Sequence, residues 1–225
     1  MIRAVLAILL VAALSAHAIA EDTFEQKAAA ARKVTHLDEV LWSLFASCTQ
    51  GDEVQQRQCR LVRDARAQAE VGATLLVDAD PGAFELGSFD ATKKSVSLAL
   101  SSCIRCSGVQ IDGKPLNVTG AAPRIESGKL RTPLLYDNAR AFPDESAANK
   151  YVESVKGSRV QMVIRVLDRK RWDVGGKSGL VVEVVAWRVV SPCTGAVLIS
   201  SPASGAVEPD RKACAAPATP PTPTK

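Results

Sequence analysis

The strongest secondary-structure signal in the chain is the stretch Arg-Val-Gln-Met-Val-Ile-Arg-Val at residues 159–166. Every second side chain from Val160 to Val166 is apolar, whereas Gln161 and Arg165 are polar, and a period of two is typical of a strand with a buried face. A second apolar run covers residues 180–190. We expect the two runs to pair as a long β-hairpin.

Further strand signals lie on both sides of this hairpin. Residues 73–77 form a short apolar run before the turn residues Asp80-Pro81-Gly82, and apolar residues alternate with serines from Ser95 to Ser101. Asp112-Gly113 is typical of a tight hairpin turn. Residues 197–200 add one more short apolar run. The strands therefore follow one another at the short spacing of an antiparallel sheet.

Three segments have the period of a helix. The first runs from Thr23 to Cys48, the second begins at Asp52, which can cap a helix, and ends at Gly72, and the third runs from Pro143 to Gly157. Residues 120–131, before the third segment, are typical of a loop. The first two segments each carry one apolar face, formed in the first by Val34, Leu37, Leu41, Leu44 and Cys48 and in the second by Val54, Leu61, Val62, Ala65 and Ala69.

These patterns predict an α+β fold. We expect a helical hairpin over residues 21–72, a mostly antiparallel β domain with one intervening helix over residues 73–208, and a Pro/Ala/Thr-rich tail over residues 209–225 that cannot pack a core. Short strands with a helix between strand groups also fit a small barrel of the OB kind. The composition, 47% hydrophobic and 23% charged, excludes wholesale disorder and a polytopic membrane protein.

The first 20 residues are typical of a secretory signal peptide. Arg3 precedes a short apolar stretch, and the small residues Ala18 and Ala20 stand at the cleavage positions. The apolar stretch is at the lower limit for crossing a bilayer, and no later stretch is long and apolar enough to do so. We therefore expect a secreted or periplasmic chain with no membrane span after cleavage.

Six cysteines follow the leader, and an even number in an oxidising compartment predicts three disulfides. Their spacing forms three near pairs. The simplest pairing joins Cys48 with Cys59, Cys103 with Cys106, and Cys193 with Cys214.

The sequence Cys103-Ile104-Arg105-Cys106 is the motif most suggestive of chemistry. Two thiols separated by two residues can form a redox-active disulfide, and Arg105 would favour a thiolate. Thioredoxin-like activity, however, needs the first cysteine at a helix N-terminus, whereas residues 107–113 are typical of a turn and a strand. We interpret the pair as a structural disulfide; a redox pair, or a metal site completed by other cysteines, are the alternatives.

Other catalytic and cofactor motifs are missing from the sequence. His36 is the single histidine beyond the leader, which excludes metal centres with two imidazoles. Gly175-Gly176-Lys177-Ser178 lacks the earlier glycine of a phosphate-binding loop and predicts a hairpin loop instead. Asp78 and Asp80, or Glu85 and Asp90, could face each other as a catalytic carboxylate pair, but turn formation explains these residues equally well and is the interpretation we favour. The sequence therefore indicates no cofactor and no metal.

Trp172 and the basic run Arg169-Lys170-Arg171 before it are the residues most typical of a binding surface. Trp187 lies within an apolar run and is predicted to be core. With 28 basic and 24 acidic residues, the net charge of +4 argues against nucleic acid as a partner. Asn117-Val118-Thr119 also matches a glycosylation acceptor.

The leading functional hypothesis is a non-enzymatic protein of the cell envelope or extracellular space that binds a protein or glycan partner or serves structurally. The alternative is a thiol-disulfide oxidoreductase that uses Cys103 and Cys106. Polyanion binding by a face of the β domain is a third hypothesis, which requires a strong salt dependence.

Overall fold

The structure, a computed structural model, describes residues 22–167, 170–205 and 207. The predicted leader (residues 1–20) and tail (residues 209–225) lie outside this part. The helices are α1 (Phe24–Ala29), α2 (Leu37–Phe45), α3 (Glu53–Glu70) and α4 (Glu145–Val155). The strands are β1 (Arg32–Lys33), β2 (Thr74–Asp78), β3 (Phe84–Asp90), β4 (Ser95–Ser101), β5 (Cys103–Ile111), β6 (Lys114–Thr119), β7 (Arg124–Glu126), β8 (Lys129–Arg131), β9 (Leu134–Ala141), β10 (Arg159–Arg165), β11 (Arg171–Val174), β12 (Lys177–Val181), β13 (Glu183–Val190) and β14 (Val197–Ser201).

The fold is mixed α+β and contains several open sheets. A five-stranded sheet has the order β1-β2-β10-β13-β14, a four-stranded sheet β11-β12-β6-β5, and a three-stranded sheet β3-β4-β9, while β7 and β8 form a small hairpin. Most neighbouring strands are antiparallel; the pairs β1-β2 and β12-β6 are parallel. Within the described residues no sheet closes into a barrel, so the OB-like arrangement is not confirmed.

The five-stranded sheet is buried on both faces, which explains why the alternation in β10 is broken by the apolar Val163 between Met162 and Ile164. Met162 and Ile164 point into the main core together with Leu41 of α2. Val163 points to the other face and packs with Phe24 of α1. The predicted pairing of the two long apolar runs is present as β10 with β13.

One prediction about the second apolar run needs correction. The run 180–190 is not one strand: it breaks at Val182, and Leu180 belongs to β12 in the four-stranded sheet. The chain between β10 and β13 thus contains a second hairpin, β11-β12. Gly175 and Gly176 adopt the positive φ angles that its tight turn requires. This turn is the hairpin loop that the glycines predicted.

The first predicted helix is also interrupted. Residues 32–33 form β1, which pairs in parallel with β2, and the N–H of Val34 donates to the carbonyl of Leu76. The segment thus divides into α1 and α2, and His36 lies exposed at the start of α2 rather than inside a helix. The predicted N-terminal helical hairpin is not confirmed as a unit, although α2 and α3 are in contact.

The second predicted helix is present as α3, capped as expected. The Asp52 carboxylate accepts a hydrogen bond from the N–H of Gln55, and the Gln55 side chain accepts one from the N–H of Asp52. Its predicted apolar stripe, however, is not buried: Val54 is 73% and Leu61 68% exposed. The helix instead buries Ala67 on its opposite side.

Strands β3, β7, β8 and β9 were not anticipated from the sequence. Residues 124–131, expected to form a loop, contain the β7-β8 hairpin. Strands β3 and β9 flank β4, the serine-rich strand that was predicted. The helix predicted from Pro143 is present as α4, with Asp144 as its N-cap.

Candidate disulfide groove

A groove of about 900 Å³ runs beside the Cys103–Cys106 disulfide, and we call it the disulfide groove. Its lining comes from three places. The β3-β4 pair and the turn before it contribute residues 80–83, Glu85, Ala99 and Ser101; the first half of β5 contributes the two cysteines and Ser107; the β7-β8 hairpin and the segment after it contribute Arg124, Glu126 and residues 130–134.

The disulfide joins the first and fourth residues of β5. Cys103 and Cys106 are bonded with a Cα–Cα separation of 5.7 Å. Cys103 is buried at 6% exposure, whereas Cys106 is exposed to the groove. The register of β5 with β6 shifts between Cys103 and Arg105 and again between Arg105 and Val109, so the motif sits where the strand bulges.

The Asp80 side chain fixes the outer half of the motif. One carboxylate oxygen, Oδ2, accepts hydrogen bonds from the N–H of Cys106 (3.0 Å), the N–H of Ser107 (3.1 Å) and the hydroxyl of Ser107 (2.9 Å). The other, Oδ1, accepts one from the Arg105 guanidinium at 2.9 Å. The N–H of Asp80 in turn donates to the carbonyl of Ile104. The turn before β3 and the cysteine motif are therefore held together as one unit.

The charge of Asp80 is stabilised in place. Burial alone would raise the pKa of its carboxyl, but the hydrogen bonds from the N–H and hydroxyl of Ser107 and the hydrogen bond and charge of Arg105 outweigh that effect and hold the pKa below its usual value. The carboxylate is consequently ionised at neutral pH.

This arrangement removes the electrostatic argument for a reactive thiol. Arg105, which the sequence offered as the group that would favour a thiolate, has its charge paired with Asp80. The carboxylate also bonds to the N–H of Cys106, so a negative charge stands next to that residue. Residues 103–111 continue as a strand, not a helix, so no helix dipole acts on Cys103.

The opposite side of the groove combines aliphatic and charged side chains. Leu134 is 50% exposed, and Arg124 and Glu126 form an ion pair across the end of β7. The Thr132 hydroxyl lies 4.0 Å from the Cys106 sulfur, so the two sides approach closely at this point. Among the described lining residues none is aromatic.

Trp172 does not form the exposed patch that we expected. Its indole is only 7% exposed, its Nε1–H donates to the Thr119 hydroxyl at 3.1 Å, and its ring lies against Gly179 across the β11-β12 pair. A Cβ on Gly179 would lie 2.4 Å from the ring, so the glycine is what admits the indole. The ring is part of the core and unavailable for stacking on a ligand.

Of the basic run, the structure describes Lys170 and Arg171, and both are exposed. Arg169 lies outside the described residues. Arg171 begins β11, and its guanidinium stacks over the Phe45 ring at 4.1 Å, beside a second, smaller groove. Trp172 is buried and therefore shares no exposed surface with Lys170 and Arg171.

Trp187 is 7% exposed and contacts Tyr136 edge-to-face, which agrees with its prediction as core. The Arg188 guanidinium forms an ion pair with the Glu25 carboxylate at 3.1 Å and lies over the ring of Phe24, so Arg188 holds α1 on the sheet.

The remaining disulfides agree with the simplest pairing as far as the structure extends. Cys48 and Cys59 are bonded and join the segment after α2 to α3. Cys193 is also disulfide-bonded. Its predicted partner, Cys214, lies outside the described residues.

Asn117 is a poor glycosylation acceptor in the folded chain, because it is 6% exposed and its Nδ2 donates to the carbonyl of Ser178.

Asp78 accepts a hydrogen bond from Gln161 and does not face Asp80 as a carboxylate pair across a site. In the described part of the chain, no three His, Cys, Asp or Glu side chains are grouped to hold a metal ion. No described helix has both the length and the apolar character needed to cross a membrane.

The role of Asp80 is the main feature that the sequence analysis missed. Asp80 was assigned to a turn, and its partners lie 25 to 27 residues further along the chain. An Asp-Pro-Gly turn does not indicate such distant hydrogen bonds. Arg105, a charged residue between the two cysteines, is a weak signal that an acidic partner exists.

No family model, no curated protein and no solved structure matches this chain.

Proposed function

We propose that the chain is a disulfide-stabilised, non-enzymatic binding protein of the periplasm or extracellular space, and that the disulfide groove holds a segment of a protein partner. The observation that carries this proposal is the fixed groove wall: a disulfide and four hydrogen bonds to Asp80 hold it in one conformation. A preorganised wall lowers the entropy lost on binding.

The chemistry of the lining favours a peptide segment over a glycan or a nucleic acid. Sugar rings and bases are commonly bound on aromatic side chains, and the described lining has none. It offers instead aliphatic surface from Leu130, Pro133 and Leu134 next to charged Glu85 and Arg131. Apolar pockets flanked by a few charged groups suit a peptide with alternating apolar and polar side chains.

A peptide-display selection on the immobilised chain tests this proposal. We expect enrichment of a shared peptide motif by the wild type and its loss in Ser101→Trp, which fills the groove, while Lys150→Ala on α4 retains it. A glycan array run in parallel on the same three proteins gives the competing outcome. Glycan binding that Ser101→Trp abolishes, without peptide enrichment, would overturn the choice of partner class.

Thiol-disulfide exchange is the second candidate, because Cys106 is exposed in the groove. The paired charge of Arg105 and the strand after the motif argue against it. A redox titration with alkylation and peptide mapping by mass spectrometry separates the two functions. A structural disulfide stays oxidised to below about −300 mV, whereas a catalytic one opens between about −120 and −270 mV. In the second outcome, loss of reductase activity in Cys103→Ser would replace the binding proposal.

A further inference from the structure

The outward side of α3 carries an apolar stripe, interrupted by the exposed Gln58, with nothing packed on it in the described part of the chain. We call this stripe, formed by Val54, Leu61, Val62, Ala65 and Ala69, the α3 outer face. Val54 is 73%, Leu61 68% and Val62 42% exposed, and both alanines are exposed. Positions 54, 61 and 65 are seven and four residues apart, so they follow one line along the helix.

The α3 outer face is where exposed apolar surface is concentrated. Of the six large apolar residues that are exposed in the described chain, Val54, Leu61, Val62 and Val71 lie in or directly after α3. The helix does not need this stripe for its own packing. Ala67, at 1% exposure, lies on the inward side, and the Cys48–Cys59 disulfide ties the helix to the segment after α2. A clustered apolar surface on a rigid helix is typical of an interface.

The charges beside the stripe are complementary to a second copy of the same helix. Arg57 and Asp64 are both exposed and lie seven residues apart, on the same flank of the stripe. Their midpoint is next to Leu61. In an antiparallel helix pair related by a two-fold axis, equal flanks face each other. With the axis next to Leu61, Arg57 of each copy meets Asp64 of the other.

We propose that this protein forms a two-fold symmetric homodimer through the α3 outer face, with the two α3 helices antiparallel. Leu61 and Val62 of both copies meet at the centre. Val54 of one copy meets the small side chains toward the C-terminal end of the other helix, where Ala65 and Ala69 leave room for it. Two Arg57–Asp64 pairs flank this apolar centre. Within the described chain Arg57 has no ion-pair partner of its own, and Asp64 pairs only with its neighbour Arg63.

The contact between the two helices is smaller than a standard protein interface. A helix of 18 residues is about 27 Å long. A single helix pair buries less than the roughly 800 Å² per partner of a standard interface. We therefore expect a dimer that dissociates in the micromolar range, which sedimentation velocity resolves across about 1 to 200 µM chain.

The first test is the oligomeric state of the purified chain lacking residues 1–20. We expect the weight-average mass to rise from one chain to two across this range. Leu61→Glu should raise the dissociation constant by about 100-fold or more, because each of two buried leucines is replaced by a charge. The matched control is Ile125→Glu on β7, where the apolar side chain is 51% exposed. It should leave the dissociation constant unchanged.

The second test identifies the orientation of the helices. Arg57→Asp alone places two acidic pairs across the interface, and Asp64→Arg alone places two basic pairs, so each variant should be monomeric. Mixing the two variants in equal amounts should restore a dimer, because every facing pair is then of opposite charge. The double variant Arg57→Asp/Asp64→Arg should dimerise as the wild type does.

Three results would overturn the proposal. The first is a wild-type chain that stays monomeric at 200 µM. The second is a chain that ends at residue 207, with Cys193→Ser so that the loss of Cys214 releases no thiol, and that dimerises when the longer chain does not, since the stripe would then be covered by the chain's own tail. The third is a dimer that persists in Leu61→Glu with unchanged affinity. Because all substituted residues are exposed, matching thermal unfolding curves show that each variant is folded.

Discussion

Removing the Asp80 carboxylate should destabilise the protein by more than its partly exposed position suggests. Asp80→Ala loses four hydrogen bonds at once, of which one is to the guanidinium of Arg105. Hydrogen bonds to a charged group contribute about 1.5 to 3 kcal/mol each, but water can replace part of this at a side chain that is 19% exposed. We expect a loss of about 2 to 4 kcal/mol in the free energy of unfolding.

Asp80→Asn separates the hydrogen bonds from the charge. The amide oxygen can occupy the position of Oδ2 and keep the donors of Cys106 and Ser107, but the NH₂ group then faces Arg105, donor against donor. The expected loss is about 1 to 2 kcal/mol, smaller than for alanine. Urea unfolding followed by tryptophan fluorescence measures both variants. Asp78→Asn, two residues away with a single hydrogen bond to Gln161, is the matched control and should change stability by less than about 0.5 kcal/mol.

The difference between wild type and Asp80→Asn should also depend on pH. Because the pKa of Asp80 is lower in the folded chain than in the unfolded chain, its contribution is complete above the unfolded value, about 3.9. It is lost as the pH falls below that value and through the folded pKa. The gap between the two proteins should therefore narrow below about pH 4. A constant gap between pH 7 and pH 3, or an alanine variant within 0.5 kcal/mol of wild type, would refute the stabilising role of the carboxylate.

Three further variants test the packing of Trp172 and the disulfide that holds α3. Gly179→Ala forces a methyl group against the Trp172 ring and should cost about 1 to 3 kcal/mol, visible in urea unfolding with a shift of the tryptophan emission. Thr119→Val leaves the buried indole N–H of Trp172 unpaired and should cost about 1 to 3 kcal/mol in the same assay, with the emission retained. The double variant Cys48→Ser/Cys59→Ser should lower the free energy of unfolding by about 2 to 3 kcal/mol. Reduction of the Cys48–Cys59 bridge in the wild type should have no larger effect than this double variant.

Local signals predicted the elements whose partners are close in sequence. The alternation of β10, the Asp-Gly turn between β5 and β6, the Asp52 cap and the helix that opens after Pro143 all depend on neighbouring residues, and all are present. Strand β9 was missed because most of its side chains are exposed and its sequence lacks alternation. The break between α1 and α2 was missed because β1 is only two residues long and exists through its pairing with β2, 43 residues away.

The candidate site could be predicted only in part for the same reason. The cysteine spacing predicted the disulfide, and residues 107–113 predicted the strand that contains it. The other lining residues come from β3, β4 and the segment 124–134, and nothing local in the sequence indicates that these stand opposite the disulfide. Asp80 shows this most clearly, since its turn was predicted and its partners were not.

The expectations for Trp172 and for the α3 outer face differ from the structure in opposite directions, and both differences have one physical cause. Periodicity and composition report whether a side chain suits burial, but the partner that buries it is chosen by the whole fold. Trp172 has a polar neighbourhood in sequence, yet Thr119 and Gly179 supply a hydrogen-bond acceptor and an open space for it. The α3 stripe has the pattern of a core face, yet the described chain places nothing against it. If the pattern is correct and the partner is a second chain, Leu61→Glu removes the dimer and leaves the free energy of unfolding of the monomer unchanged.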